Sequence, residues 1–531
     1  MRRYPRNVAI LILVLFFSLG TLAQSAPPDI DAWVARTMKE FEVPGIALAI
    51  VKDGKIVLAK GYGVRRLGLP EPVDANTLFG IASNSKAFTA ADVAILVDEQ
   101  KVSWDDPVIK HLPAFRVDDA FVTSELMVRD LLSHRSGLGL GAGDLMFWPD
   151  TDFTREQVVA AAAHIKPVSS LRSRYAYNNL MFIVAGELVA AVSGKSWDDF
   201  TRERIFQPLG MNSTVISSAS FKPGDNFATP HSRGWRLAGK PVAPIALTKD
   251  DTWAAAAGIK SNVTDLSKWV LVQLNRGKIE GDRRLFSEAA QRQMWSMQIS
   301  TGPGRPQQGP LKSLEAKFSG YGMGWSLRDY QGRKIVSHGG ALTGMLSSVY
   351  LVPEENLGII VLTNQEESGS YASIIYHILD HYMKLPATNW ISAFQTSRRE
   401  TLAKAAEAEK KQNEERVKES RPSFPLASYA GDYNDPWYGK ATLKLENDRL
   451  VLRMTHTPDM VADLEHWQFN TFKAVFRDAT IPDAFLTFNL QPDGKIDEMK
   501  MVPTSQIADF SFDYQDLLFK PVALPKEAGG K

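Results

Sequence analysis

Ser83-Asn84-Ser85-Lys86 is the only Ser-x-x-Lys in the chain, and it opens an apolar-periodic run, AFTAADVAILVDEQ. Residues three apart share a helical face, so Lys86 can stand beside the Ser83 hydroxyl. A helix start also presents unpaired N–H groups and a partial positive charge. A nucleophilic hydroxyl, a basic partner and an anion-friendly backbone are what acyl transfer requires. About one or two such spacings arise by chance in a chain of this length, so other features must decide.

Two further groups suit the same chemistry. Tyr177-Asn178-Asn179 precedes a second apolar run, LMFIVAGELVAAV. A tyrosine near a serine and a lysine can relay a proton, and a neighbouring ammonium favours its phenolate. Asn179 can hydrogen-bond a substrate amide or ester, or simply cap the helix that follows. His338-Gly339-Gly340 follows the strand-like KIVS. Its glycines let another backbone approach and suit a strand edge for an extended substrate. The bland alternative is a bulge or turn with His338 exposed.

The elements that must position these groups are legible in outline. Residues 45–65 are two β-type runs around Asp53-Gly54, a hairpin signal. KIVSHGG, MLSSVYLVP and LGIIVLTN predict three more strands, the last two joined by Glu354-Glu355-Asn356. Helical stretches, among them 85–99, 179–193 and 263–276, lie between these two groups of strands. The pattern predicts an α+β fold: an antiparallel sheet flanked by helices, with a helical subdomain and a cleft between them.

Residues 396–420 are rich in Ala, Glu and Lys and lack an apolar stripe, as in a solvated helical spacer. A partner-binding helix is the alternative. Pro422 and Pro425 end it. Residues 426–523 then alternate apolar and polar around turn signals at Asn447-Asp448 and Asp493-Gly494, which predicts a small all-β barrel or sandwich. Phe485, Phe488, Phe510 and Phe512 read as one apolar face of its strands. The expected division is 1–25 signal peptide, 26–388 catalytic domain, 389–424 linker, 425–523 β domain and 524–531 tail.

The 531 residues carry a net charge of +1, which leaves no electrostatic footprint for nucleic acid. The absence of cysteine excludes disulfides, thiolate metal sites and a cysteine nucleophile. Nine histidines form no His-Glu-x-x-His, and no serine lies in Gly-x-Ser-x-Gly, so zincin and α/β-hydrolase readings lack support. No metal or cofactor is expected. Arg2, Arg3 and Arg6, the apolar Val8 to Leu19 and Ala23-Gln24-Ser25 read as a cleaved secretory signal. An uncleaved membrane anchor is the alternative. The expected location is periplasmic or secreted, in a bacterium.

Taken in order, Ser-x-x-Lys, Tyr-x-Asn and His-Gly-Gly resemble the motifs of the serine β-lactamase and penicillin-binding-protein superfamily. The class C β-lactamase-like branch, with its D-alanyl-D-alanine carboxypeptidases, D-aminopeptidases and esterases, is the nearest pattern. Segments such as VRDLLSHRSGLG, IFQPLGMNST, AAGIKSNVTDLSKWV and YGMGW extend the resemblance over roughly residues 28–385. It implies Ser83 as acylated nucleophile and Lys86 with Tyr177 as shared base and acid. Asn179 would orient the substrate, the N–H groups of Ser83 and Ala341 would form the oxyanion hole, and Asn84 and Trp325 would line the site.

Two departures matter. His338 stands where many relatives carry a lysine. It is expected to be mostly neutral at pH 7 but able to donate a hydrogen bond to substrate, so that carboxylate recognition is weaker or comes from an arginine elsewhere. The C-terminal β domain is absent from plain class C β-lactamases, and resembles a domain that covers the cleft or joins subunits in some relatives. The reading is an exported serine hydrolase using an acyl-enzyme to cleave a D-amino-acid peptide, a peptidoglycan-type peptide or an ester. A true β-lactamase and a silent penicillin- or peptidoglycan-binding protein are the alternatives. Partners would be a small peptide, ester or lactam and peptidoglycan, with oligomers through the C-terminal domain.

Overall fold

The computed structural model describes residues 25–522 except 218, 220, 223, 235–239, 250, 303 and 305. Almost all of the expected signal peptide and the C-terminal tail lie outside the described residues. The first domain is built on an eight-stranded antiparallel sheet. Lys55–Gly63 lies at one edge, followed by Gly45–Lys52, Leu357–Thr363, Met345–Val352, Arg333–Leu342, Ser326–Tyr330, Ser319–Tyr321 and Ile299–Ser300. Gly45–Lys52 pairs with Leu357–Thr363, which explains why strand patterns cluster at both ends of this domain. Asp53 and Gly54, at φ +50 and +76, make the hairpin turn.

Central strands are buried on both faces, so their sequence is continuously apolar. Ile46, Leu48 and Ile50 face the helices Ile30–Phe41 and Ser368–Tyr382. Ala47, Ala49 and Val51 face the other core, which includes Phe88, Leu266 and Val270. That second face carries the helical subdomain, at whose centre run the helices Ser85–Asp98 and Leu180–Ser193. Every residue from Ser85 to Leu96 is buried. Its polar members are therefore paired: the Thr89 hydroxyl donates to the Ala255 carbonyl (2.6 Å), and Asp92 accepts from the Thr201 hydroxyl (2.6 Å).

Trp390–Glu415 is one long helix whose first turn is buried against the sheet domain, at Trp390, Ile391 and Ala393. Beyond it, eight strands from Gly431–Asp435 to Leu518–Pro521 close into a barrel. Asn447 and Asp448, both at positive φ, turn one of its hairpins. The expected apolar face divides. Phe488 points inward against Tyr429, Tyr433 and Phe472, whereas Phe485 packs on Trp467. The two are three residues apart on one strand, so they cannot share a face. Phe510 and Phe512 are not in a strand at all. They belong to the loop joining Ile496–Pro503 to Leu518–Pro521, which leaves the barrel and enters the first domain.

Gly340 marks a close approach between the sheet and the turn that carries Ser83. A Cβ there would stand 2.2 Å from the Ile81 carbonyl oxygen and 2.9 Å from the Ala82 Cβ. Gly340→Ala should therefore push the turn before Ser83 away from the sheet. We expect a loss of about 1–3 kcal/mol of stability and at least a tenfold fall in kcat, checked by thermal unfolding and ester hydrolysis. Gly339→Ala, where a Cβ meets nothing closer than 3.9 Å, is the control.

Candidate active site

Ser83 sits in a short turn, Ala82–Asn84, that runs straight into the helix Ser85–Asp98. Ala82 is at φ +49, a left-handed conformation costing a Cβ-bearing residue about 1–2 kcal/mol. The sheet side of this turn is held by Ser347, whose hydroxyl donates to the Ile81 carbonyl (2.6 Å) and accepts from the Asn84 amide (2.8 Å). One turn along the helix, Lys86 is wholly buried. Its Nζ lies 3.0 Å from Ser83 Oγ, 2.6 Å from Asn179 Oδ1 and 2.9 Å from the Ala256 carbonyl oxygen. The last two atoms only accept, so they fix two N–H directions. The third direction of the amine points at Ser83 Oγ. Burial pushes the Lys86 pKa down to about 7, against an opposing pull from the Asp144 carboxylate. A neutral amine then keeps both fixed hydrogen bonds and turns its lone pair to the Ser83 hydroxyl.

Tyr177 completes the group. Its hydroxyl lies beside Ser83, and its ring centroid lies 4.9 Å from Lys86 Nζ. Burial drives its pKa well above the ordinary tyrosine value, so the resting group is the phenol. The phenolate expected from a neighbouring ammonium is not favoured at rest, because desolvation outweighs a lysine that is itself half-discharged near neutrality. Asn179 does not cap its helix. Asn178 does, accepting the Met181 N–H at 3.1 Å. Asn179 instead bridges Lys86 and Asp144, donating to Asp144 Oδ2 at 2.8 Å. At most one amide N–H remains for a substrate.

A cavity of about 300 Å³ opens above Ser83, bounded by Tyr177, Asn179 and His338 to Ala341. Beyond Ser337 the strand Arg333–Leu342 pairs only with Met345–Val352, so its other edge is free along the cleft. The strand is thus interior in its first half and an edge in its second. Ala341 lines the same cavity as Ser83.

Residues 30–383 match the beta-lactamase family model, two-thirds of the chain. The chain belongs to the beta-lactamase family. Residues 415–521 match a second model, a domain of unknown function (DUF3471). The chain is 29% identical to an unguisins hydrolase of Aspergillus campestris, over 80% of this chain and 79% of that protein. It is 25% identical to protein flp of Staphylococcus aureus, over 65% and 64% of the two chains. Among solved structures, the octameric penicillin-binding protein homologue from Pyrococcus abyssi superposes with a TM-score of 0.58, at 22% identity, over 93% of this chain and 99% of that one. SurE bound to D-Leu superposes with a TM-score of 0.51 at 17% identity, over 93% and 98%. These neighbours share the fold.

Within this beta-lactamase-family site, His338 differs from its expected behaviour. Its Nδ1–H donates to the Gly339 carbonyl (2.6 Å), and its Nε2 accepts from the Tyr321 hydroxyl (2.8 Å). Burial and the nearby Lys86 push its pKa down to about 3. His338 is therefore neutral and has no N–H left for a substrate. Two expected lining residues are elsewhere. Asn84 is buried, its amide spent on Ser347 and Ile81, and Trp325 is buried against Trp295.

Other contributors carried no motif. Trp148 and Trp253 wall the cavity, and the barrel loop adds Asp509, Phe510 and Ser511. Phe510 stacks edge-on against Tyr177, with centroids 5.7 Å apart. The neutral His134 lies beneath Tyr177 at 4.1 Å and accepts the Asn178 N–H on Nδ1 (3.0 Å).

Because the reactive base is an amine with its pKa near 7, kcat/KM for a neutral ester should rise as pH increases through about 7. Lys86→Met should abolish that rise together with at least a thousandfold of the activity. Measuring the pH profile with p-nitrophenyl butyrate checks both.

Proposed function

We propose that this protein is an exported serine hydrolase that forms an acyl-enzyme on Ser83 and cleaves amides or esters carrying no free carboxylate beside the scissile bond. The observation that carries this reading is the charge of the cleft. Among the described residues no lysine or arginine lines the cavity, and its one charged wall residue is Asp509. Arg233 stands in an adjoining chamber but is engaged by Glu42 at 2.6 Å. A penicillin carboxylate or a C-terminal D-alanine would meet neutral His338, aromatic walls and an acid. The relative named an unguisins hydrolase favours hydrolysis, and the neighbour crystallised with D-Leu favours D-configured residues. The basic-then-apolar N-terminus favours export.

In this mechanism Ser83 Oγ attacks the carbonyl carbon as its proton passes to the neutral Lys86. The N–H groups of Ser83 and Ala341 hold the oxyanion, each contributing roughly 3 kcal/mol in comparable sites. Tyr177 gives its proton to the leaving nitrogen or oxygen, and the new Lys86 ammonium stabilises the phenolate so formed. Water then loses a proton to that phenolate and attacks the acyl group, while Lys86 returns its proton to Ser83 Oγ. Every group ends as it began.

A matched pair of substrates tests the reading. N-acetyl-D-alanyl-D-alaninamide should exceed N-acetyl-D-alanyl-D-alanine in kcat/KM by at least tenfold, about 1.4 kcal/mol. Faster cleavage of the acid, or a preference for nitrocefin over p-nitrophenyl butyrate, would overturn the substrate class. Failure of a fluorophosphonate to add once, at Ser83, would overturn the nucleophile.

A further inference from the structure

We propose that Asp144 is a positioning residue for the catalytic lysine and that the C-terminal barrel, through Asp513, holds it in place, so that the working site spans both domains. This rests on the reading of Lys86 as the base.

Asp144 is fully buried, and its Oδ2 accepts the Asn179 amide N–H at 2.8 Å. That bond decides which way the Asn179 amide faces. Turned over, the amide would present N–H to Lys86, which needs an acceptor, and oxygen to the carboxyl oxygen of Asp144. With Asp144 as acceptor, Asn179 Oδ1 must face Lys86, and it stands 2.6 Å from Nζ. The amine is then held with its third direction on Ser83 Oγ, 3.0 Å away.

Asp144 opens a short 3₁₀ turn, Asp144–Met146, tied to the first domain where the Gly141 N–H donates to the Tyr177 carbonyl and the Asn178 amide donates to the Ala142 carbonyl (both 2.9 Å), and the barrel adds a further anchor. Asp513 is fully buried, and its carboxyl accepts the N–H groups on both sides of Asp144: Gly143 at 2.7 Å and Leu145 at 3.1 Å. Two residues away, the Ser511 hydroxyl lies beside the Asp144 carboxyl. The contact needs Gly141, at φ +70, where a Cβ would stand 2.5 Å from the Phe510 carbonyl oxygen. A hydrogen-bonded path thus runs from the barrel to the nucleophile: Asp513 to the 143–145 backbone, then Asp144, Asn179, Lys86 and Ser83.

The charged and titratable groups around this path are few. Lys86 faces Asp144, Tyr177, His134 and His338. Asp144 faces Lys86 and, from the barrel, Asp509 and Asp513. Burial favours the uncharged form of both Lys86 and Asp144, and the Asp144 charge, where present, favours the ammonium of Lys86. Asp144→Asn keeps an acceptor for Asn179 but cannot ionise. Its kcat/KM should stay within about tenfold of wild type.

Asp144→Ala removes the acceptor and should lower kcat at least thirtyfold with KM within about threefold. Asp513→Ala, in the full chain, should lower kcat in the same way while the barrel remains folded. Circular dichroism and thermal unfolding identify any variant that fails to fold, in which case Asp144→Asn still decides. A fall of more than about tenfold in folded Asp144→Asn, or wild-type kcat in folded Asp144→Ala or Asp513→Ala, overturns the proposal. Labelling of wild-type Ser83 by a fluorophosphonate separates this outcome from a failure of the serine-hydrolase reading, since that failure would leave wild type itself unlabelled.

Discussion

The site depends on the burial of one amine. Lys86 sits inside the helical subdomain with no bulk water to solvate it, and only three oxygen atoms within hydrogen-bonding distance. An ammonium in such a place is expensive, and that expense converts a lysine of ordinary pKa into a base usable near neutrality. The other features of the first domain maintain the burial. Ala254–Ala257 presents the Ala256 carbonyl from a helix small enough to pack close, and Gly324 abuts the Lys86 carbonyl where a Cβ would come within 2.7 Å. The Ser83 turn is pinned to the sheet at Gly340 and Ser347.

The same burial explains why the neighbours are neutral. His338, His134 and Tyr177 all lie near Lys86, and desolvation holds each in its uncharged form. A permanent cation in the His338 position would raise the cost of protonating Lys86. The histidine avoids that cost but gives up a carboxylate anchor. Base strength and carboxylate recognition thus compete within one small volume, and this chain resolves the competition toward the base.

Sequence alone revealed the parts of this arrangement that rest on local rules. The Asp53-Gly54 and Asn447-Asp448 turns, the runs 45–52 and 357–363, and the barrel strands follow from periodicity and turn chemistry. Ser83, Lys86, Tyr177 and Asn179 stood out through spacing, and the structure brings all four together. What it could not reveal were contacts between residues far apart in the chain. Asn84 and Trp325 adjoin motif residues in sequence yet point into the core. Asp144 and Asp513, 369 positions apart, meet through the loop that bears them. The loop's Phe510 and Phe512 imitate a strand, because alternation cannot distinguish a barrel face from a segment that docks on another domain.

That docked loop changes what the second domain does. A barrel that merely followed the catalytic domain on its long helix would leave the cleft as open as a single-domain enzyme's. Here Phe510 lies against Tyr177, and Asp513 reaches the backbone that carries Asp144. The barrel loop therefore covers one side of Tyr177 and ties down the segment that carries Asp144. The free edge from His338 to Ala341 and this loop both line the cavity above Ser83. The residues of the loop tip thus govern both the shape of what enters and the dielectric in which it reacts. A substitution there should change rate and selectivity together, whereas one on the far side of the barrel should change neither.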